Sequence, residues 1–321
     1  MTRPRRVLLT GATGFVGKRV YPALVQAGWQ VRSGSRDAEQ HAREEAGREW
    51  VRFDTEDAGS VTAAVAGVDA VIYLVHSMGQ AGDFEQKEHA AAEALARAAE
   101  HAGVKRLVYL GGVAPAGTAS KHLRSRLATG EVLRASQVPT IELRAGMIIG
   151  AGGVSWRMVR DLAARLPFMV LPSWLQNRSQ PIAIDDVIAA LVRAVALEPE
   201  VRGVFDLPGP ETLSGEDILR RIARLIGVRP YAVRVPVLTP RLSSYWLKLI
   251  TGADFHVAQE LVEGLTSDLV ARNRQFWQHL PDYVPTSFDA AAQKAMAEEE
   301  PGLSAGTRLL EWSLQHLARR A

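Results

Sequence analysis

Leu8-Leu9-Thr10-Gly11-Ala12-Thr13-Gly14-Phe15-Val16-Gly17 decides the reading of this chain. A short apolar run over 7–10 leads into it, and a helical pattern over 17–27 leads out. Glycines therefore stand at 11, 14 and 17 across a strand-to-helix junction. A tight turn there needs a residue without Cβ. An incoming pyrophosphate must reach backbone N–H groups at the helix N-terminus, and the last glycine lets helix and strand pack closely. The spacing predicts a dinucleotide site formed by Gly11, Thr13, Gly14, Phe15, Val16 and Gly17. The same glycines could serve a plain tight turn, but further strand–helix units follow and favour the nucleotide.

Outward from the loop, apolar β-rich runs over 7–10, 30–34, 50–53, 70–75, 106–110 and 140–143 read as short strands. Helical patterns separate them over 17–27, 61–66, 84–102 and 126–136, the third with Asp83 as its cap and Gly103 as its stop. The strands lack polar alternation, as strands covered on both faces do. The pattern predicts an α/β fold, a Rossmann-type doubly wound parallel sheet. After residue 150 the character changes. A helix is expected over 157–164, an apolar proline-punctuated segment over 166–175, and a strand over 180–184. Asp185 or Asp186 would cap a helix over 187–197. A strand over 203–207 and a capped helix over 214–226 follow, and the chain reads as mostly helical beyond Val235. Residues 1–150 with 181–204 are expected to form the dinucleotide-binding unit. Residues 151–180 with 205–321 would form a smaller, mostly helical cap.

Composition narrows the class. The 321 residues are 47% apolar and 23% charged, with no cysteine and a net charge of +3. That excludes disordered, disulfide-stapled and thiolate–metal readings. The 38 basic residues, mostly arginine, are spread along the chain, so no nucleic-acid partner is expected. No stretch has the ~20 apolar residues of a membrane span, and residues 7–9 are too few for a signal sequence. A soluble cytoplasmic protein is expected.

An acidic residue about 20 positions beyond the loop would bind a ribose 2′-hydroxyl and mark NAD. The second strand instead runs Val31-Arg32-Ser33-Gly34-Ser35-Arg36-Asp37. Arg36 with Ser35 suits a 2′-phosphate, because the guanidinium fork holds phosphate oxygens in pairs. Alternatively Arg36 is a solvated loop residue and Asp37 takes the ribose. NADP(H) is the expected cofactor, with NAD(H) kept open.

Residues 10–17, the later strands and Pro181-Ile182-Ala183-Ile184-Asp185-Asp186-Val187 resemble an atypical, extended-type short-chain dehydrogenase/reductase. The chain is similar to NmrA-like and NDP-sugar-epimerase-like NAD(P)H-binding proteins, over about residues 5–230. Tyr73-Leu74-Val75-His76-Ser77-Met78 and Tyr109-Leu110-Gly111-Gly112 look like a bacterial subgroup of NAD(P)H-binding oxidoreductases. The resemblance implies a sheet of about seven strands. It also implies that Asp54 and Thr55 contact the adenine, and that Leu74, Val75 and their neighbours pass the cofactor riboses. The family's Tyr and Lys fall near His122 and Arg126, and its Ser at Gly111 or Gly112. No Tyr-x-x-x-Lys occurs anywhere in the chain.

That departure leaves a short list. His122 could move protons near neutral pH, or it could belong to a solvated basic helix start. Arg126 could hold ribose or phosphate but cannot act as a base. His76 lies where ligands bind in such sheets, or is a structural histidine. Ser77 could donate to substrate or ribose. Tyr109 reads as core. Trp156, Trp174 and the 166–175 segment could roof an apolar substrate, or simply pack the smaller portion. Residues 245–250 could touch a membrane surface, or be core. The eight histidines stand at no metal-ligand spacing. Two functions remain: an NADPH-dependent reductase or isomerase of a small apolar carbonyl or quinone-like compound, or a non-catalytic NADP(H)-binding sensor or structural subunit.

Overall fold

Seven short strands assemble into one parallel sheet. The computed structural model describes residues 5–76, 84–117, 119–165, 168–228, 231–235 and 267–299. The first half alternates β1 (Arg6–Leu9), α1 (Phe15–Gln26), β2 (Gln30–Ser35), α2 (Ala38–Glu44), β3 (Glu49–Arg52), α3 (Ala58–Val65), β4 (Ala70–Tyr73) and α4 (Phe84–His101). Then come β5 (Arg106–Gly112), α5 (Lys121–Ala135), β6 (Thr140–Ala145), β7 (Ile148–Ile149), α6 (Val154–Arg165), β8 (Phe168–Pro172), β9 (Arg178–Ser179) and β10 (Ile182–Ala183). α7 (Ile184–Ala196), β11 (Gly203–Leu207), β12 (Leu213–Ser214), α8 (Gly215–Leu225), β13 (Tyr231–Val235) and α9 (Phe288–Glu299) complete the described strands and α-helices.

The sheet order is β3-β2-β1-β4-β5-β6-β11, parallel throughout. Winding reverses between β1 and β4, and the crevice at that switch point is where ligands enter such sheets. Alternate residues of each strand serve two cores, which explains the missing polar alternation. Val7, Leu9, Ile72 and Leu143 pack with Val20 and Leu24 of α1 and Val187 and Leu191 of α7. Leu8, Val71, Leu107 and Tyr109 pack on the other face with Val61, Leu95 and Leu133. A third cluster joins Trp156, Ile218, Ile222, Phe288 and Ala292. Each fully buried aliphatic side chain contributes roughly 1.5–3 kcal/mol.

Several expectations need correction. The anticipated strand 180–184 shrinks to β10, and α7 already begins at Ile184. Ala183 is the cap residue, so Asp185 and Asp186 fall in the first turn. Asp186 is buried there and accepts from Tyr283 Oη (2.7 Å) and from Thr286 N and Oγ1 (both 2.9 Å). Helix α5 starts five residues before 126, because the Ser120 hydroxyl accepts from Leu123 N–H at 3.3 Å and caps it. Within the apolar proline-punctuated segment, residues 168–172 form β8, paired in parallel with β13. Their partner lies some sixty residues on, which local periodicity cannot show. Asp83, residues 245–250 and most of the stretch after Val235 lie outside the described residues. Among the described residues, no helix is long and apolar enough to cross a membrane.

Candidate dinucleotide site

The glycine loop sits at the switch point. Gly11 has φ +63°, a conformation that favours glycine. A Cβ there would also press within 3.2 Å of the Leu74 backbone. Gly14 caps α1 at φ −78°, with no side chain capping the helix and no acidic residue in its first turn. The first-turn N–H groups are left without helical partners at the positive end of the helix dipole. Thr13 and Gly14 are exposed, so an anion can reach them. Gly17 is buried, and a Cβ on it would overlap the Gly11 carbonyl oxygen. The Phe15 ring is wedged against Gly150 and Gly153, and half-buried Val16 packs on the first core. These are the features a dinucleotide pyrophosphate needs: a cradle at Gly14 that a side chain would fill, and free N–H donors.

Two residues that sequence reasoning passed over hold this loop. Thr10 Oγ1 accepts from Leu74 N–H at 3.2 Å and donates to Ile72 O at 3.3 Å, tying the turn to β4. Arg48 lies between the rings of Tyr21 and Trp50, 3.9 and 4.1 Å from their centroids. It donates to Ser33 Oγ at 2.8 Å and to Ala12 O at 3.4 Å. Its sequence neighbourhood does not mark it for the loop, because Ala12, Tyr21 and Ser33 come from three distant segments.

At the end of β2, Ser35 Oγ accepts from Asp37 N–H at 3.2 Å. Arg36 is exposed and, among the described residues, its guanidinium has no carboxylate partner. Asp54 and Thr55 follow β3 at its carboxyl end, half-buried, where Asp54 Oδ1 accepts from Glu56 N–H at 3.1 Å.

Leu74, Val75 and His76 continue from β4, all half-buried; Ser77 lies outside the described residues. The rings of His76 and His122 are 6.1 Å apart. His122 and Arg126 are spaced i, i+4 on one face of α5. Arg126 Nη2 donates to Leu110 O at 2.7 Å, while its Nε is buried without a hydrogen-bond partner among the described residues. The sheet therefore brings His76, His122 and Arg126 together at the carboxyl ends of β4 and β5. Gly112 stands at one of the two positions where the resemblance puts the family's serine. A Cβ there would come within 2.7 Å of Leu123 Cδ1 and 3.9 Å of Arg126 Nε. Tyr109 is core: it is 2% exposed, its hydroxyl donates to Arg126 O at 3.2 Å, and burial pushes it up to about 12. Trp156 is fully buried in the third cluster and so cannot roof a ligand, and half-buried Trp174 packs on the same cluster.

Burial, and then the Arg126 cation, pull His76 down to about 3 and His122 to about 4. Both imidazoles are neutral at pH 7, so they donate hydrogen bonds rather than carry an acid proton. The sign for stability follows. Above pH 6.5 neither the folded nor the unfolded chain protonates these rings. Below it the unfolded chain takes up protons that the folded chain refuses until about pH 3–4. Stability must fall with pH across that window, by at most about 1.4 kcal/mol per unit per histidine. Because both rings are only half-buried, we expect about 1–2 kcal/mol less at pH 5 than at pH 7. Urea midpoints for the parent and for His76→Asn/His122→Asn check this; an equal drop in both would contradict it.

Comparison with known proteins agrees with this geometry. Residues 11–161 match a family model described as NAD(P)H-binding. The chain is 29% identical over 238 residues to NADH dehydrogenase (ubiquinone) 1 alpha subcomplex subunit 9, mitochondrial, of Arabidopsis thaliana, covering 70% of this chain and 59% of that protein. It is also 29% identical over 242 residues to a ceramide reductase of Caulobacter vibrioides, covering 72% of this chain and 73% of that protein. A nucleoside-diphosphate-sugar epimerase of Staphylococcus aureus shares the fold with a TM-score of 0.70 at 17% identity, over 90% of this chain and 99% of that one. From the glycine loop and these likenesses together, the chain carries an NAD(P)H-binding domain on the fold of the NDP-sugar epimerases.

Proposed function

We propose that the chain is an NADP(H)-dependent reductase of a small apolar carbonyl or quinone-like compound. The observation that carries this reading is the convergence of His76, His122 and Arg126 Nε beside Leu74, which packs on Gly11 of the loop. The ceramide reductase relative supports reduction and an apolar substrate. A bound reduced nicotinamide supplies the hydride. The carbonyl carbon gains that hydride, and its oxygen must gain a proton. A neutral imidazole N–H of His122 or His76 donates a hydrogen bond to the oxygen and holds it, and solvent supplies the proton. The Arg126 cation stabilises negative charge developing on the oxygen. Ser77 remains a further donor in this reading. Leu74 and Val75 line the riboses, Asp54 and Thr55 the adenine.

Ser35 and Arg36 take the 2′-phosphate. A charge-assisted pair there is worth about 1.5–3 kcal/mol, so Arg36→Ala should weaken NADPH about ten- to a hundredfold. NADH should hardly change. Calorimetry with both cofactors checks this, and equal losses would show that Arg36 only supports its loop.

One observation favours a second reading. The Tyr-x-x-x-Lys pair is missing and both histidines are held neutral, which suits a non-catalytic NADP(H)-binding subunit. A steady-state NADPH oxidation assay over apolar ketones, aldehydes and quinones separates the two. Cofactor binding without turnover on any of them would favour the subunit.

A further inference from the structure

The β6–β11 pair has one apolar face and one charged face, and the dinucleotide site uses neither. Ile141, Leu143 and Leu207 point into the first core. On the opposite face the register sets Val204 beside Glu142 and Asp206 beside Arg144. Glu142 is fully buried, and a buried carboxylate is costly unless it is paired. Its two oxygens accept from Arg134 Nε and Arg144 Nε, each at 2.7 Å. Glycines make the space for it. A Cβ on Gly130 would overlap the carboxylate, and one on Gly111 would come within 3.2 Å of Oε1.

This arrangement has a consequence for the two arginines. Each is fixed through Nε, and among the described residues nothing accepts from their terminal amino groups. Both arginines line a cavity of about 350 Å³, together with Arg272, Asn273, Ala114, Val204 and the acidic Asp206. Arg272 is anchored at the rim because its backbone N–H donates to Asp206 Oδ2 at 2.7 Å, leaving its guanidinium free among the described residues. Three guanidiniums against two carboxylates leave the pocket positive. Arginine forks oriented by a buried acid are the donors that a multi-oxygen anion matches. The volume falls in the range of small-molecule pockets.

The geometry points to a second ligand site in this cavity, for the phosphate or diphosphate group of a small organic molecule. It is distinct from the glycine loop. β6 lies three strands from β1, about 14 Å along the sheet, and none of the residues assigned to the dinucleotide lines the cavity.

Inorganic pyrophosphate, titrated calorimetrically at fixed ionic strength, is the probe. The parent should bind it. Arg272→Gln, on an exposed side chain, should weaken binding about tenfold, and Arg272→Glu should abolish it, with NADPH affinity unchanged in both. Gly14→Val, which disables the glycine loop, should keep the pyrophosphate binding of this pocket. No binding by the parent would overturn the proposal. So would binding that survives Arg272→Glu, or binding lost in Gly14→Val, since that result places the anion at the glycine loop.

Discussion

Gly17→Ala is expected to destabilise the chain by about 3 kcal/mol, although it adds one methyl group. The new Cβ would overlap the Gly11 carbonyl oxygen and lie within 2.8 Å of Ala12 Cα. Both are backbone atoms of a turn fixed by the Gly14 N–H to Gly11 O bond at 3.0 Å and by the positive φ of Gly11. No side chain can swing aside, so helix α1 must move off β1. Overpacking of this kind costs about 1–3 kcal/mol, occasionally more. Gly14→Ala is the control. Its Cβ would meet only the Gly11 oxygen, at 3.2 Å, at an ordinary φ of −78°. We expect less than about 1 kcal/mol there. Urea unfolding of both variants checks this, and a Gly17→Ala protein as stable as the parent would show that the loop packs differently.

The largest expected effect on chemistry belongs to the histidines. A preorganised hydrogen-bond donor to a developing oxyanion is typically worth about 10²–10³-fold. Losing the imidazole that holds the carbonyl oxygen should slow single-turnover NADPH oxidation by about that factor. The variants are His76→Ala and His122→Phe. The two rings share one site, so one should fall steeply while the other changes mainly substrate affinity. Because both rings are already neutral, the rate should not collapse as pH rises from 6 to 8, as it would if an imidazolium of ordinary pKa near 6.5 were the acid. A steep loss over that interval, or unchanged rates in both variants, would remove the histidines from the mechanism.

Much of this was legible in the sequence, for identifiable reasons. Glycines at 11, 14 and 17 carry a steric requirement that no other residue meets, and short buried strands announce themselves as unbroken apolar runs. His122 and Arg126 were marked by the resemblance, which sets the family's Tyr and Lys near them; α5, starting at Lys121, carries the two at i, i+4. What escaped notice was non-local. Arg48 reaches its partners through the fold, and Thr10 acts through β4. The β8–β13 pairing joins an apolar proline-punctuated segment to one some sixty residues on. Glu142 and its two arginines read as scattered charges until the β6–β11 register puts them on one face. The missing Tyr-x-x-x-Lys was plain in the sequence. Only the structure shows that Leu123 and Arg126 occupy the space beside Gly112.

Calorimetric titration of NADPH into the parent chain and into Gly14→Val tests the dinucleotide assignment most directly. Valine at 14 places a branched side chain where phosphate must meet the free N–H groups of α1, while leaving an ordinary backbone conformation. We expect saturable binding by the parent and at least about a hundredfold weaker binding by the folded variant, equivalent to about 2.7 kcal/mol. Undiminished affinity in Gly14→Val would contradict a cofactor seated on the glycine loop.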